Sequence, residues 1–188
     1  MTAIPHYISP EEYLKIEHRS PIRHEYRHGL VYAMASSSDK HDRITANLLK
    51  LIDTHFGNDS TCQFFSGNVK VNINVSYTDT LFYYPDAFIT CNERDQRDRD
   101  IKRHPKLIVE VLSESTQAFD RSDKFEDYTQ IDTLEEYVLI AQTHQRIDCH
   151  RRTADNDWTR TTYKQSQPVS LQSIRLTFKI AQLYHGIH

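Results

Sequence analysis

No apolar run in this 188-residue chain approaches the roughly 18 residues that a membrane-crossing helix needs, so no membrane partner is expected. Met1 to Pro10 holds no basic segment leading into an apolar one, and no secretory leader is expected either. Cysteine is scarce. Cys62, Cys91 and Cys149 stand far apart, odd in number and without a C-x-x-C pair, which argues against a zinc ribbon or a disulfide frame and fits reduced thiols in the cytoplasm. The histidines offer no H-E-x-x-H and no pairing with cysteine. There is no basic excess: the formal charge is -3, unlike a protein that coats nucleic acid. A local basic surface stays open. Repeats and low-complexity linkers are also missing. A hydrophobic share of 38% over this length predicts one domain, 1–188, with its core at about 38–141.

What is present centres on Leu107 to Tyr128. Leu107 to Leu112 is a short, β-branched apolar run, read as a strand buried on both faces. Glu110 interrupts it. A carboxylate there must be paired with a cation, face water at the sheet rim, or serve a metal or a reaction. Glu114-Ser115-Thr116 carries helix-start chemistry, and from about Gln117 the spacing turns helical, placing Asp120, Lys124 and Tyr128 on one face. A helix folding back over its strand would bring Lys124 level with Glu110. A second acid, Asp86, follows Pro85 at the mouth of a strand running to Cys91; alone, an Asp beside Pro is ordinary turn chemistry.

Elsewhere, Ser9-Pro10-Glu11-Glu12 predicts a capped helix with Tyr13, Leu14 and Ile16 on its apolar side. Arg23 to Ala35 predicts a hairpin turning at Arg27-His28-Gly29, with Glu25 in its first arm. Ser36 to Asp39 starts a helix that carries Ile44, Leu48, Leu51 and Ile52 to the core and ends before Gly57, with His41 in its first turn. Val69, Val71, Ile73 and Val75 alternate with polar residues, as in a strand with one wet face. Arg94 to His104 reads as a solvated charged loop. Glu136 to Ala141 is a further strand, Arg146 to Tyr163 a hairpin about Asp155-Asn156, and Val169 to Tyr184 a strand and a short helix.

Pro85-Asp86, Glu110 in its apolar strand and Lys124 on the next helix resemble the PD-(D/E)XK nuclease superfamily. Val109-Glu110-Val111-Leu112-Ser113, then Asp120-Arg121-x-x-Lys124-x-x-x-Tyr128 and Glu136 to Ile140, resemble its Uma-two family of restriction-endonuclease-like proteins, over about Ser9 to Tyr184. One departure stands out. Two positions after Glu110 is Leu112, so the motif's lysine must come from elsewhere, and Lys124 is the candidate.

The resemblance implies an α/β (α+β) fold: a restriction-endonuclease-like core with a mixed central sheet flanked by helices, plus the N-terminal helix and hairpin. It implies hydrolysis of nucleic acid, DNA before RNA, with Mg2+ (or Mn2+ in its place) on Asp86, Glu110 and the main-chain carbonyl of Val111. Lys124 would be the catalytic base or orienting cation. Glu25, His41, Ser113, Asp120, Arg121 and Tyr128 are supporting candidates, and a homodimer would let two sites cut both strands. Two rivals remain beside it: a catalytically silent module of the same fold, and a scaffold in which Glu110 and Lys124 are only a buried ion pair.

Overall fold

The computed structural model describes residues 7–34, 36–57, 61–75 and 79–187. Residues 1–6, read above for a leader, and Ala35, the predicted end of the hairpin, lie outside the described residues. Ser9 Oγ accepts from Glu12 N (3.1 Å) and Pro10 takes the first helical position, which starts α1 (Pro10–Glu17). β1 (His24–Arg27) and β2 (Leu30–Ala33) form the hairpin. Its turn needs two left-handed residues, supplied by His28 (φ 49°) and Gly29 (φ 80°). A Cβ at Gly29 would also lie 2.6 Å from Tyr7 Cδ1, so a larger residue would have to displace that exposed ring. Ser38 caps α2 (Asp39–Phe56), and Gly57, at φ 54°, ends it.

Four strands follow: β3 (Gln63–Ser66), β4 (Lys70–Asn74), β5 (Thr80–Tyr83) and β6 (Ala87–Thr90). A turn of 3-10 helix (Glu93–Gln96) leads into β7 (Ile101–Lys102) and then β8 (Pro105–Leu112). Next come α3 (Gln117–Arg121), α4 (Asp123–Thr129), β9 (Glu136–Ala141), β10 (Arg146–Arg152) and β11 (Trp158–Lys164). The chain closes with β12 (Pro168–Leu171), β13 (Leu176–Lys179) and α5 (Ile180–Leu183).

The main sheet runs β11-β10-β9-β8-β6-β3 and is mixed: β8 pairs parallel with β9 and antiparallel with β6. The parallel pair requires a crossover, which α3 and α4 provide. One face of this sheet presents Val109, Val111, Val138, Ile140 and Ile147 to Ile44, Leu48 and Ile52 of α2 and to the C-terminal strands. The other presents Phe88, Ile108, Leu112, Tyr137 and Leu139 to Tyr128 of α4 and to a second sheet, β2-β1-β5-β4-β7. Tyr13 of α1 stacks on Tyr26 and Phe82 behind that second sheet. The mixed α+β fold expected above, with helices on the sheet and an N-terminal helix and hairpin, is the one that forms.

Several expectations need correction. Cys62 and Cys91 are joined in a disulfide, not reduced. The register of β3 against β6 pairs Gln63 with Thr90, so the next residues outward on the two strands face each other. Cys149 is a buried free thiol, and burial pushes its pKa up. The single helix predicted from Gln117 is broken at Ser122 (φ -121°, ψ -99°), whose hydroxyl donates to Ala118 O at 2.8 Å and so competes with the helix backbone. The wet face of β4 is wet only at its ends, where Lys70 is half-buried and Asn74 exposed. Asn72 is buried and donates to Leu81 O at 3.1 Å, on the side where α1 covers its cross-strand partner Phe82.

The solvated loop at 94–104 is partly core. Asp95 accepts from the backbone N–H groups of Arg103 (2.9 Å) and His104 (3.0 Å), and Lys102 donates to the carbonyls of Asp95 and Asp98. Both side chains are buried because main-chain groups, not solvent, satisfy them. In α1, Ile16 is exposed and Glu17 is buried, held by Tyr84 and His24. Where one C-terminal strand was expected, β12 and β13 form a separate pair.

Candidate active site

Four elements converge on Glu110. It lies two residues before the end of β8, on the face turned to α4, and is 3% exposed. Lys124 projects from α4, and its Nζ sits 3.0 Å from Glu110 Oε1, 2.9 Å from Glu25 Oε1 and 3.7 Å from Asp120 Oδ1. Asp120 and Lys124 are four residues apart and stay within reach of each other across the break at Ser122. Tyr128, a further turn along, donates its hydroxyl to Glu110 Oε1 at 3.1 Å. Tyr83 stacks its ring 5.2 Å from the ammonium.

Asp86, the residue before β6, completes the group. Its Oδ2 accepts from Val111 N (2.7 Å), and its Oδ1 lies 2.8 Å from His41 Nε2 at the start of α2. Its own N–H points to Glu110 Oε2 at 3.4 Å. Asp86 is thus seated by a backbone donor of the Glu110 strand, and the two carboxylates are neighbours. The structure brings together Glu25, His41, Asp86, Glu110, Val111, Asp120, Lys124 and Tyr128. Ser113 and Arg121 are engaged elsewhere. Ser113 Oγ closes a local turn with Ser115 and Thr116, and Arg121 Nη1 bonds Asp148 Oδ2 at 2.9 Å.

The electrostatics follow from burial. Burial works against the Lys124 charge, but Glu110, Glu25 and Asp120 outweigh it and hold the ammonium well above its ordinary range. Burial raises Glu110 well above the usual carboxylate range, with Lys124 opposing and the neighbouring acids adding to the rise. Burial likewise raises Asp120. For His41 burial acts downward, and the hydrogen bond and charge of Asp86 reverse it to a net rise. Four carboxyl groups thus crowd one ammonium and one imidazole, and after burial that crowding adds to the rise at Glu110 and Asp120.

Could the cluster hold a metal ion? Among the described residues no three His, Cys, Asp or Glu side chains are arranged as a ready-made cage. The donors that do meet, the carboxylates of Asp86 and Glu110, are hard oxygens. Magnesium suits such a site, since it binds through one or two carboxylates and keeps several waters. Glu110 Oε2, with its long contact, and Asp86, less deeply buried, are the atoms placed to take it.

Sequence reading missed the clamp that sets the helix. Arg27 Nε lies 2.8 Å from Asp127 Oδ2 and its Nη1 3.1 Å from Asp123 Oδ2, while Tyr83 donates to Asp127. Spacing gives half of the signal: Arg27 is two residues from Glu25 in the same arm, and Asp123 and Asp127 are four apart beside Lys124, but nothing local pairs the two groups.

Also missed was Asp148, 1% exposed, on the same sheet row as Glu110 through the pairings Glu110–Leu139 and Leu139–Asp148. It accepts from Arg121 (2.9 Å), Arg146 (3.1 Å) and Thr162 (2.6 Å). Burial would raise its pKa, but these partners overcome that and hold it at about 2, against 3.8 for a free aspartate. A depressed carboxyl pKa contributes stability that is present above the unfolded value and lost as pH falls through the folded one. Asp148 is therefore expected to supply about 2 kcal/mol, lost between about pH 4 and about pH 2. Urea unfolding of Asp148→Asn across that range should show a lower plateau near neutrality and a flatter acid limb; an unchanged acid limb would assign the acid loss to other groups.

The chain is similar to known proteins over nearly its whole length. The Uma2 family model, described as "Putative restriction endonuclease", matches residues 10–181. The uncharacterized protein slr1290 of Synechocystis sp. is 36% identical over 181 residues, covering 96% of this chain and 93% of that protein. A second from the same organism, sll1609, is 31% identical over 156 residues, covering 82% and 86%. A crystal structure from Anabaena variabilis, described as "a putative nuclease belonging to DUF820", shares the fold with a TM-score of 0.76 at 17% identity, over 94% of this chain and 97% of that one.

Proposed function

We propose that this chain, which belongs to the Uma2 family of restriction-endonuclease-like proteins, is a metal-dependent nuclease that hydrolyses the phosphodiester bonds of DNA. One observation carries the reading: the Lys124 ammonium, 3.0 Å from Glu110 Oε1, beside an Asp86 that is hydrogen-bonded into the same strand. A purely structural ion pair gives Asp86 no reason to be there.

Asp86 and Glu110 would hold Mg2+, or Mn2+ in its place, with the Val111 carbonyl as a third oxygen. The ion would polarise the scissile phosphate and acidify a bound water. Glu25 and Asp120 keep Lys124 charged and fix its direction. The ammonium can then orient the attacking water and steady negative charge as it develops on the phosphoryl oxygens. His41 and the Val111 N–H hold Asp86 in one rotamer.

A catalytically silent module of the same fold is the second reading. It is favoured by the absence, among the described residues, of any buried polar side-chain atom lacking a partner. Calorimetric titration of the full chain with MgCl2 and MnCl2, run beside incubation with plasmid DNA and with single-stranded DNA and RNA, separates the two. Ion binding together with chelator-sensitive cutting is the expected result. Ion binding without cutting of any substrate supports the silent module, and no ion binding and no cutting rejects the site.

A further inference from the structure

The face of the main sheet that carries Glu110 continues across β9 to β10 and β11. Residues directly opposite in an antiparallel pair point to the same side. The pairs Arg146–Lys164, Asp148–Thr162 and His150–Arg160 therefore share one face. It is the Glu110 face, because Ile147 and Cys149, which alternate with them, pack toward α2. Two strand spacings separate Glu110 from Asp148, about 10 Å. Arg121, the residue after Asp120, reaches Asp148 from above.

This ground is basic in a chain whose net charge is -3. Arg121 and Arg146 bind Asp148, which is buried and is the one acid among the β10 and β11 residues of this face, and Arg160 and Lys164 lie along the same face on β11. Arg160 and Lys164 are exposed on β11, the outermost strand of the sheet. An open groove of about 480 Å³ lies at the rim, lined by His144, Gln145, Arg146, Lys164 and Gln165. Burial and the charge of Arg160 push His150 below its ordinary range, as a local positive field should.

Asp148 also does something particular here. It binds Arg121 through Nη1 and Arg146 through Nε and Nη2, fixing two guanidinium groups with donors to spare. Planar groups held in this way are set for phosphate oxygens.

We propose that Arg121, Arg146, Arg160 and Lys164 form a phosphate-tracking surface, which takes the phosphodiester backbone of the nucleic acid flanking the bond held at Glu110. The inference rests on the nuclease reading, and its test uses binding without metal so that the two can fail separately. The full-length wild type, an Arg160→Ala/Lys164→Ala double variant and a Lys50→Ala control on α2, behind the opposite face, are titrated with a labelled DNA duplex and its RNA counterpart. The titrations run in chelator over a range of salt and are read by fluorescence anisotropy.

Each lost contact to B-form DNA lowers the slope of log affinity against log salt by about 0.9. The double variant should therefore show a slope shallower by about 1.8 and bind about 10-fold to 100-fold more weakly at about 0.1 M salt. The control should match the wild type. The duplex on which the slope changes more identifies the backbone that this surface takes. A wild type that binds steeply and a double variant that keeps the same slope would overturn the surface while leaving the nuclease reading in place. A wild type that binds neither duplex but still cuts nucleic acid would also overturn the surface alone. If it neither binds nor cuts, surface and reading fall together.

Discussion

Glu110→Gln is expected to lower metal-dependent cleavage by about 10³-fold or more, since a bound metal contributes several kcal/mol of transition-state stabilisation. The amide keeps the shape of the carboxylate and can still accept from Tyr128, so packing at the end of β8 is preserved. Lys124 retains Glu25 at 2.9 Å, so its charge is not left alone. What is lost is a carboxylate beside Asp86 and, on the proposed reading, one of the two groups that would hold a divalent cation. Asp86→Asn should act in the same direction, because the amide oxygen that replaces the carboxylate can still accept from the Val111 N–H. Initial rates on plasmid DNA, with thermal melts to show that the fold persists, measure the effect. Rates within tenfold of wild type in both variants would remove these acids from the chemistry.

Lys124→Met should be the most destabilising single change in the site. Methionine keeps the length of the side chain but strands Glu25, Glu110 and Asp120 together with no cation among them. Breaking a buried pair by removing one partner costs about 3–5 kcal/mol, and here three acids lose the same partner. Mg2+ should raise the melting temperature of this variant more than that of wild type, since the cluster then lacks even its own ammonium. Adding Glu110→Gln should recover part of the loss, so that the double variant is more stable than the sum of the two changes. A Lys124→Met chain as stable as wild type, and indifferent to Mg2+, would show that the acids are not held by that charge.

The parts of this fold that could be read from the chain are those where one pattern has one meaning. Ser9 and Ser38 cap helices, His28-Gly29 turns a hairpin, and the Glu110 strand is too apolar to lie anywhere but inside. The convergence of Asp86, Glu110 and Lys124 was legible from motif and spacing together. Less legible were features that depend on what covers a surface. Asn72 looks like a wet-face residue until α1 is placed over it. Asp95 and Lys102 look solvated until the backbone folds round to bind them. The partnership of Cys62 with Cys91 is a matter of strand register across 29 residues, and neither β3 nor its alignment with β6 was read from composition. The second sheet went unseen because β5 is four residues long and runs directly into the Pro85 segment. Arg27 and Asp127 were hidden by ordinary charge: each looks like a surface residue until its partner, 100 positions away, is known.

On the nuclease reading, a separation of that kind bears on when cutting could begin. Glu25 and Lys124, which touch through a hydrogen bond, are 99 residues apart in the chain. They also sit on different layers, one on the hairpin sheet and one on the crossover helix. A nascent polypeptide emerging from the ribosome exposes the first acid long before the ammonium that it must meet. Contacts of such long range form late in folding. Cutting power would then arrive only with the finished molecule, and a stalled or truncated translation product would remain harmless to the genome that encodes it.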